Sequence, residues 1–353
     1  MAKADVDSRA LTIGGIEIAP GQTRSLNLPL AMLYTHAPVE MPVHVINGRR
    51  AGHRLFITAA LHGDELNGIE IIRRLLNTRM MKRLRGCLVA VPIVNVFGVL
   101  NQSRYLPDRR DLNRCFPGTE KGSLAARVAD LLMSEIVSQC THGIDIHTGA
   151  LHRNNLPQIR AAMDDPVTAT LATAFGTPVV LNSNLRDGSL RQAAAELGIP
   201  TLLYESGEAL RFDETCIRVG VQGILNVMRT LEMLPPAKRS RGVKEPVVIR
   251  SSTWVRAPIG GIVRTHIRLG EQVETEQQLA TISDPFGNTE TQVTSPGQGI
   301  IIGRSNLPLV NEGEALFHVA RFRRKSDARQ VTEAVGELEV IDSLLPPMES
   351  EIR

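Results

Sequence analysis

Two apolar runs in this chain break off at a histidine, and that pattern limits the folds open to it. The first, Leu55-Phe-Ile-Thr-Ala-Ala-Leu, runs into His62-Gly-Asp-Glu65, and the second, Gly143-Ile-Asp-Ile, runs into His147-Thr-Gly149. Residues 54–61 are short, apolar and followed by Gly63, as a buried strand would be. Beyond them Ile69, Ile72, Leu75 and Leu76 recur at helical spacing. Asp64 is placed to cap that helix, with Glu65 in its first turn. Ile144 to His147 reads as a second strand reaching the same edge, where Gly149 lets the backbone turn away. Ligands of open α/β sheets bind at that edge. Two imidazoles and one carboxylate meeting there form the ligand set of a catalytic zinc site, with a fourth position left for water.

A single His-x-x-Glu is common by chance, and a strand-end histidine is more often only hydrogen-bonded. The other seven histidines (36, 44, 53, 142, 152, 266 and 318) have no comparable setting and read as structural or exposed, with His152 close to the proposed site. What strengthens the metal reading is the stretch between the two ligand segments. Asn101 to Gly118 follows an apolar strand, Cys87 to Val94, and is too polar and proline-broken for a helix or central strand. It carries four arginines, 104, 109, 110 and 114. Guanidinium groups grip carboxylates in a planar, two-pronged way, so such a loop beside a metal suits an anionic substrate. The plainer alternative is a solvated basic loop neutralised locally by Asp108 and Asp111.

His62-Gly-Asp-Glu65, Asp111-Leu-Asn-Arg114 and Asp145-Ile-His-Thr148 stand in order and at suitable intervals. Together they resemble the motifs of the succinylglutamate desuccinylase/aspartoacylase family, relatives of the zinc carboxypeptidases, over roughly residues 45–235. The resemblance implies one Zn2+ per chain held by His62, Glu65 and His147. It implies that Arg104 polarises the scissile carbonyl, that Asn113 and Arg114 hold a substrate carboxylate, and that Glu205 activates water. Independently of it, Glu205 follows an apolar strand, Ile199 to Tyr204, where a partly desolvated carboxylate is suited to general base work. A glutamate paired with a nearby arginine is the competing reading, and Glu208 is a weaker candidate for the same task. The reaction implied is removal of an acyl group from an N-acylated amino acid or similar small carboxylate. A carboxypeptidase acting on peptides, or a non-catalytic metal-binding protein, are the alternatives; a mere metal binder needs neither Glu205 nor the arginine loop.

At 353 residues two domains are expected. Aromatic content of 3% argues against stacking on nucleic acid, and a net charge of +3 gives no strong field for DNA or a membrane. The basic clusters at Lys238 to Lys244 and Arg321 to Lys325 read as exposed linker or tail. Cysteines 87, 115, 140 and 216 lack a Cys-x-x-Cys pair and fit free thiols in the cytoplasm, with Cys115 a bystander or an alternative ligand. No signal peptide or membrane-spanning run is evident.

Residues 1–45 read as leading strands, with apolar alternation from Leu11 to Ile18 and again from Val43 to Ile46. Strand and helix patterns alternate over 46–236, with helices at 124–137, 167–175, 189–197 and along Val221 to Leu231, and a short strand at 178–181. That grammar predicts an α/β fold: a mostly parallel mixed sheet with helices on both faces, of zinc carboxypeptidase-like form. Pro235-Pro236 opens a linker, taken as 237–249. Residues 250–322 change to short apolar pieces divided by Gly and Pro, with Ala257 to Val263 echoed by Ser295 to Ile301. This half-repeat resembles a small biotinyl/lipoyl-like all-β domain, but no lysine lies between Lys244 and Lys325, and the matching turn is Ser283-Asp-Pro-Phe-Gly287. A structural role is expected for it, covering the catalytic domain or making a homo-oligomer contact. Residues 323–353 form a tail with a short helix around Val331 to Leu338.

Overall fold

A computed structural model describes residues 10–237, 245–322 and 324–344. A hairpin, β1 (Leu11–Ile13) and β2 (Ile16–Ile18), precedes two long antiparallel strands, β3 (Thr23–Met32) and β4 (Pro38–Asn47). The α/β half continues with β5 (Arg50–Ala59), α1 (Asn67–Leu76), β6 (Arg85–Val91), α2 (Val96–Leu100), α3 (Leu124–Glu135), β7 (His142–His147) and β8 (Arg153–Ala161). It ends with α4 (Pro166–Phe175), β9 (Val179–Asn182), α5 (Leu190–Glu196), β10 (Thr201–Gly207) and α6 (Glu214–Thr230). Strands β6, β5, β7 and β10 lie side by side and parallel, flanked by antiparallel β4 and β3 on one side and antiparallel β8 on the other.

The central strands carry mostly apolar residues in their buried stretches because both faces are covered. Leu55 to Ala59 of β5 are all buried. One face packs on α1, α4 and α6 through Ile71, Leu75, Phe175, Ile224 and Met228. The other packs on α3 and α5, with Leu132, Ile136, Leu190 and Ala194 in a core that also takes in β1 to β4. Side-chain caps fix five helix starts: Asn95, Ser123, Asp165, Ser189 and Asp213 each accept a backbone N–H from the first turn, a contribution of about 1 kcal/mol apiece.

The expected helix after His62 begins later than its cap residue suggested. Helix α1 starts at Asn67, with Leu66 before it and no side-chain cap, so Asp64 caps nothing and Glu65 precedes the helix. The reason is a tight turn, in which the Glu65 N–H donates to the His62 carbonyl at 3.2 Å and the Leu210 N–H donates to the Asp64 carbonyl at 2.7 Å. The basic segment 238–244 lies outside the described residues. Val247–Ile249, expected to be linker, is β11, a parallel partner of β9.

The last part holds β12 (Ser252–Arg256), β13 (Gly261–Thr265), β14 (Gln272–Val273), β15 (Gln278–Ser283), β16 (Glu290–Thr294), β17 (Gly299–Ser305), β18 (Leu309–Val310) and β19 (Ala315–Ala320). Antiparallel β16, β15, β13 and β18 form a small sheet. Across Val255, Leu279, Ile282, Val293 and Phe317 it shares a core with β12, β17 and β19. Those three strands prolong the large mixed sheet, because β17 pairs antiparallel with the first residues of β8. Residues 283–287 turn between β15 and β16, with the Asp284 carboxylate accepting the Phe286 N–H at 2.7 Å. The closing helix, α7 (Lys325–Leu344), is longer than expected and buries Val331 against Ile249, Ile300 and Ile302.

Candidate metal centre and active-site cavity

His62, Glu65 and His147 come together at the C-terminal edge of the parallel strands, all three buried, with ligand atoms within 4.8 Å of one another. Nδ1 of His62 lies 2.7 Å from Glu65 Oε1, and Nδ1 of His147 lies 2.7 Å from Oε2. The opposite nitrogens face other carboxylates: His147 Nε2 is 2.7 Å from Asp145 Oδ2, and His62 Nε2 is 3.1 Å from Asp111 Oδ1. An Nε2–H donated to a carboxylate leaves Nδ1 with its lone pair, which is how ligating histidines are usually oriented. Asp145 is itself fixed by the Thr58 hydroxyl, which donates to Oδ1 at 2.7 Å. The donor set therefore fits one divalent ion with three protein ligands. Without that ion, burial disfavours charge on both rings, but Glu65 and Asp111 outweigh it for His62, and Asp145 and Glu65 for His147, so both rings bind protons more readily than usual. Burial likewise works against the Glu65 carboxylate, yet the two rings hold it well below the ordinary range.

Glycine brings the arginine segment to this centre. A Cβ at Gly63 would lie 1.8 Å from the Gly98 carbonyl carbon, and the Gly63 N–H donates to Ser103 O at 3.0 Å. Arg104 follows directly. Its Nη1 is 3.4 Å from Glu65 Oε1, and its Nη2 donates to Asp111 Oδ2 at 2.9 Å. Asp111 thus anchors His62 and Arg104 together, and also accepts the Asn113 N–H at 2.9 Å. Asn113 Oδ1 accepts the Leu190 N–H of α5 at 3.0 Å, which leaves its Nδ2 without a partner among the described residues. The Arg114 guanidinium donates back to the Asn113 carbonyl.

Glu205 is paired directly with His147 in the β10–β7 register. Cα-paired residues of neighbouring strands project to the same face about 4.8 Å apart. Its Oε2 accepts from Arg160 at 2.7 Å and from Asn155 at 2.8 Å, so the arginine pairing anticipated as a competing reading is present. Among the described residues Oε1 has no protein partner, and the side chain lines the same cavity as the metal triad. Glu208 is buried elsewhere, its Oε2 held by Asn306 at 2.7 Å and exposed His152 4.0 Å from its Oε1. Cys115 donates to the Asp111 carbonyl and lies outside the triad.

All seven residues singled out from the sequence line one cavity of about 440 Å³. Sequence reasoning missed much of its wall, including Arg153, Asn155, Arg160, Arg186, Arg191 and Trp254. Six arginines face it against two carboxylates, Glu65 and Glu205. Arg191 is 7% exposed, and burial, then the neighbouring Arg160, push its guanidinium down to about 10. Its Nη1 has no partner among the described residues. Arg153, Arg160, Arg186 and Arg191 are scattered over β8, the loop after β9 and α5, so no local motif marks them.

Two histidines and a glutamate gathered at the sheet edge beside a further carboxylate are a donor set consistent with one metal ion. The family model for the succinylglutamate desuccinylase/aspartoacylase catalytic domain matches residues 51–231, and the chain belongs to that family. It is accordingly an amidohydrolase acting on N-acyl amides. The N-alpha-acetyl-L-2,4-diaminobutyric acid deacetylase of Halomonas elongata is 24% identical over 297 residues, covering 80% of this chain and 86% of that protein. A succinylglutamate desuccinylase/aspartoacylase from Rhodobacter sphaeroides superposes with a TM-score of 0.75 at 25% identity, covering 85% of this chain and 95% of the other. The product-bound ectoine utilization protein EutE (DoeB) of Ruegeria pomeroyi shares the fold, with a TM-score of 0.76 at 23% identity over 85% of this chain and 95% of that one. Among the described residues no helix is long and apolar enough to cross a membrane.

Proposed function

We propose that this protein is a zinc deacylase that hydrolyses the amide bond of a small N-acylated amino acid. The observation that carries this reading is the register pairing of Glu205 with His147, which sets a carboxylate with a free oxygen beside the His62–Glu65–His147 triad in one arginine-lined cavity. A divalent ion held by the triad would supply Lewis acidity and lower the pKa of a water toward about 7. Glu205 Oε1 takes the proton of the attacking water and returns it to the departing amine. Arg160 and Asn155 hold the other oxygen, so the base cannot rotate away. Arg104, tethered by Asp111, offers its guanidinium to the carbonyl oxygen as negative charge develops there. Asn113 Nδ2 and Arg114 hold the substrate carboxylate.

The excess of arginine in the cavity supports a substrate that is anionic overall. That favours an acidic N-acyl amino acid over a basic one such as the acetylated diaminobutyrate for which the Halomonas relative is named. The four free cysteines support a reducing compartment, the cytosol. The decisive assay incubates zinc-loaded protein with N-acetyl and N-succinyl derivatives of acidic and basic amino acids, and with dipeptides, and measures free amine. Release from the acidic N-acyl amino acids, abolished by chelator and restored by Zn2+, is expected. Faster cleavage of the dipeptides would make it a peptidase, and no release from any of them would overturn the assignment.

A further inference from the structure

The cavity is not closed by the catalytic half alone. Trp254, the chain's single tryptophan, lies on β12 in the C-terminal β unit and lines the cavity. One rung of paired residues leads there across the sheet: Trp254 to His318, His318 to Gly303, Gly303 to Asn155. Asn155 is one of the two residues that donate to Glu205. The rung closes up because Gly303 has no side chain; a Cβ there would lie 2.8 Å from Asn155 Oδ1 and 3.2 Å from His318 Cβ.

The indole is held rigidly. The buried His318 ring stacks on it at 4.5 Å and 7°, and is fixed in turn by the Ser252 hydroxyl 2.8 Å from Nε2. Burial, then the charge of Arg160, lower His318 to about 4, so the stacked ring is neutral at physiological pH. The Arg153 guanidinium lies 5.5 Å from the indole centroid, within cation–π range. A half-buried aromatic plane clamped in this way is a wall rather than a gate.

We propose that Trp254, with Arg153 and His318 fixing its plane, is the specificity-determining wall that limits the size of the acyl group. This rests on the deacylase reading. On that reading Arg104 meets the scissile carbonyl and Asn113 and Arg114, in the segment after β6, take the amino-acid carboxylate, whereas Trp254 and Arg153 line the cavity from β12 and β8. The group left facing the indole is the acyl chain. A rigid wall discriminates against each added methylene by about tenfold or more, since it cannot yield without losing its stacking.

The test compares N-acetyl, N-butyryl and N-hexanoyl derivatives of one amino acid on zinc-loaded wild type, Trp254→Ala and Trp254→Phe. In the alanine variant the hexanoyl-to-acetyl ratio of kcat/KM should rise at least about tenfold, with phenylalanine restoring much of the wild-type ratio. A companion series varies the amine at constant acetyl, and its ranking should stay as in wild type. An unchanged acyl ratio in folded, metal-bound alanine variant, or a shift that follows the amine instead, overturns the proposal. Titrating wild type with acetate, butyrate and hexanoate while following the single tryptophan's emission separates the two readings. An emission response that weakens with chain length, in a protein that turns over no N-acyl amino acid, keeps the wall and removes the deacylase. Turnover with neither a ratio change nor an emission response keeps the deacylase and removes the wall.

Discussion

Asp145 makes no contact with substrate in the proposed reaction, yet the metal centre depends on it. It receives His147 Nε2 on one oxygen and the Thr58 hydroxyl on the other, so the ring is held with Nδ1 turned toward Glu65. Replacing Asp145 with Asn removes the charge but keeps the shape; metal affinity should fall by about 10–100-fold, read by competition with a chelator. Glu205→Gln should do the reverse, keeping stoichiometric zinc while turnover drops by at least about a hundredfold. Near-normal turnover in that variant would take Glu205 out of the mechanism. Both residues are visible in the sequence, Asp145 as part of a motif and Glu205 as a strand-end carboxylate. The supports of Glu205 are not, because Asn155 and Arg160 sit within β8, where nothing in the local pattern distinguishes a wall residue from a solvent-facing one.

At the scale of elements, the strand-end logic holds for His62 and His147, and β5, β7 and β10 lie adjacent and parallel as ligand convergence requires. Local reasoning misplaces the helix start. Asp64 is a good cap by composition, but its backbone carbonyl is engaged by Leu210 and its side chain is buried with Oδ1 unpartnered among the described residues. Close approach of two backbones decides that turn. Gly63→Ala should therefore push the Gly98–Arg104 segment off the metal ligands, costing about 1–3 kcal/mol of stability as overpacking. A urea melt measures that cost. Zinc affinity should weaken with it, and a variant as stable as wild type would show the contact to be slack.

Across the whole molecule, His142 and His318 are buried histidines that resist protonation. Burial, then the neighbouring His53, lower His142 to about 4, against an ordinary value of 6.5. The folded state thus resists a proton that the unfolded chain accepts. The stability this represents is full above pH 6.5 and is lost as pH falls toward 4. His142→Gln, measured by urea denaturation of zinc-loaded protein, should lose less stability than wild type between those limits; equal losses would rule out His142 as a contributor.

The sequence by itself determined the ligand triad, the alternation that makes the sheet, and the family, because each is written in short-range order: an apolar run, its period and the residue that ends it. Only the tertiary structure decided the rest. That β17 adds to β8 and carries Trp254 to the cavity depends on strands far apart in the chain pairing edge to edge, a choice made by backbone hydrogen bonds common to every residue. The six arginines of the cavity become one electrostatic surface for the same reason, since charge acts through distance in space and those residues meet only after the chain has folded.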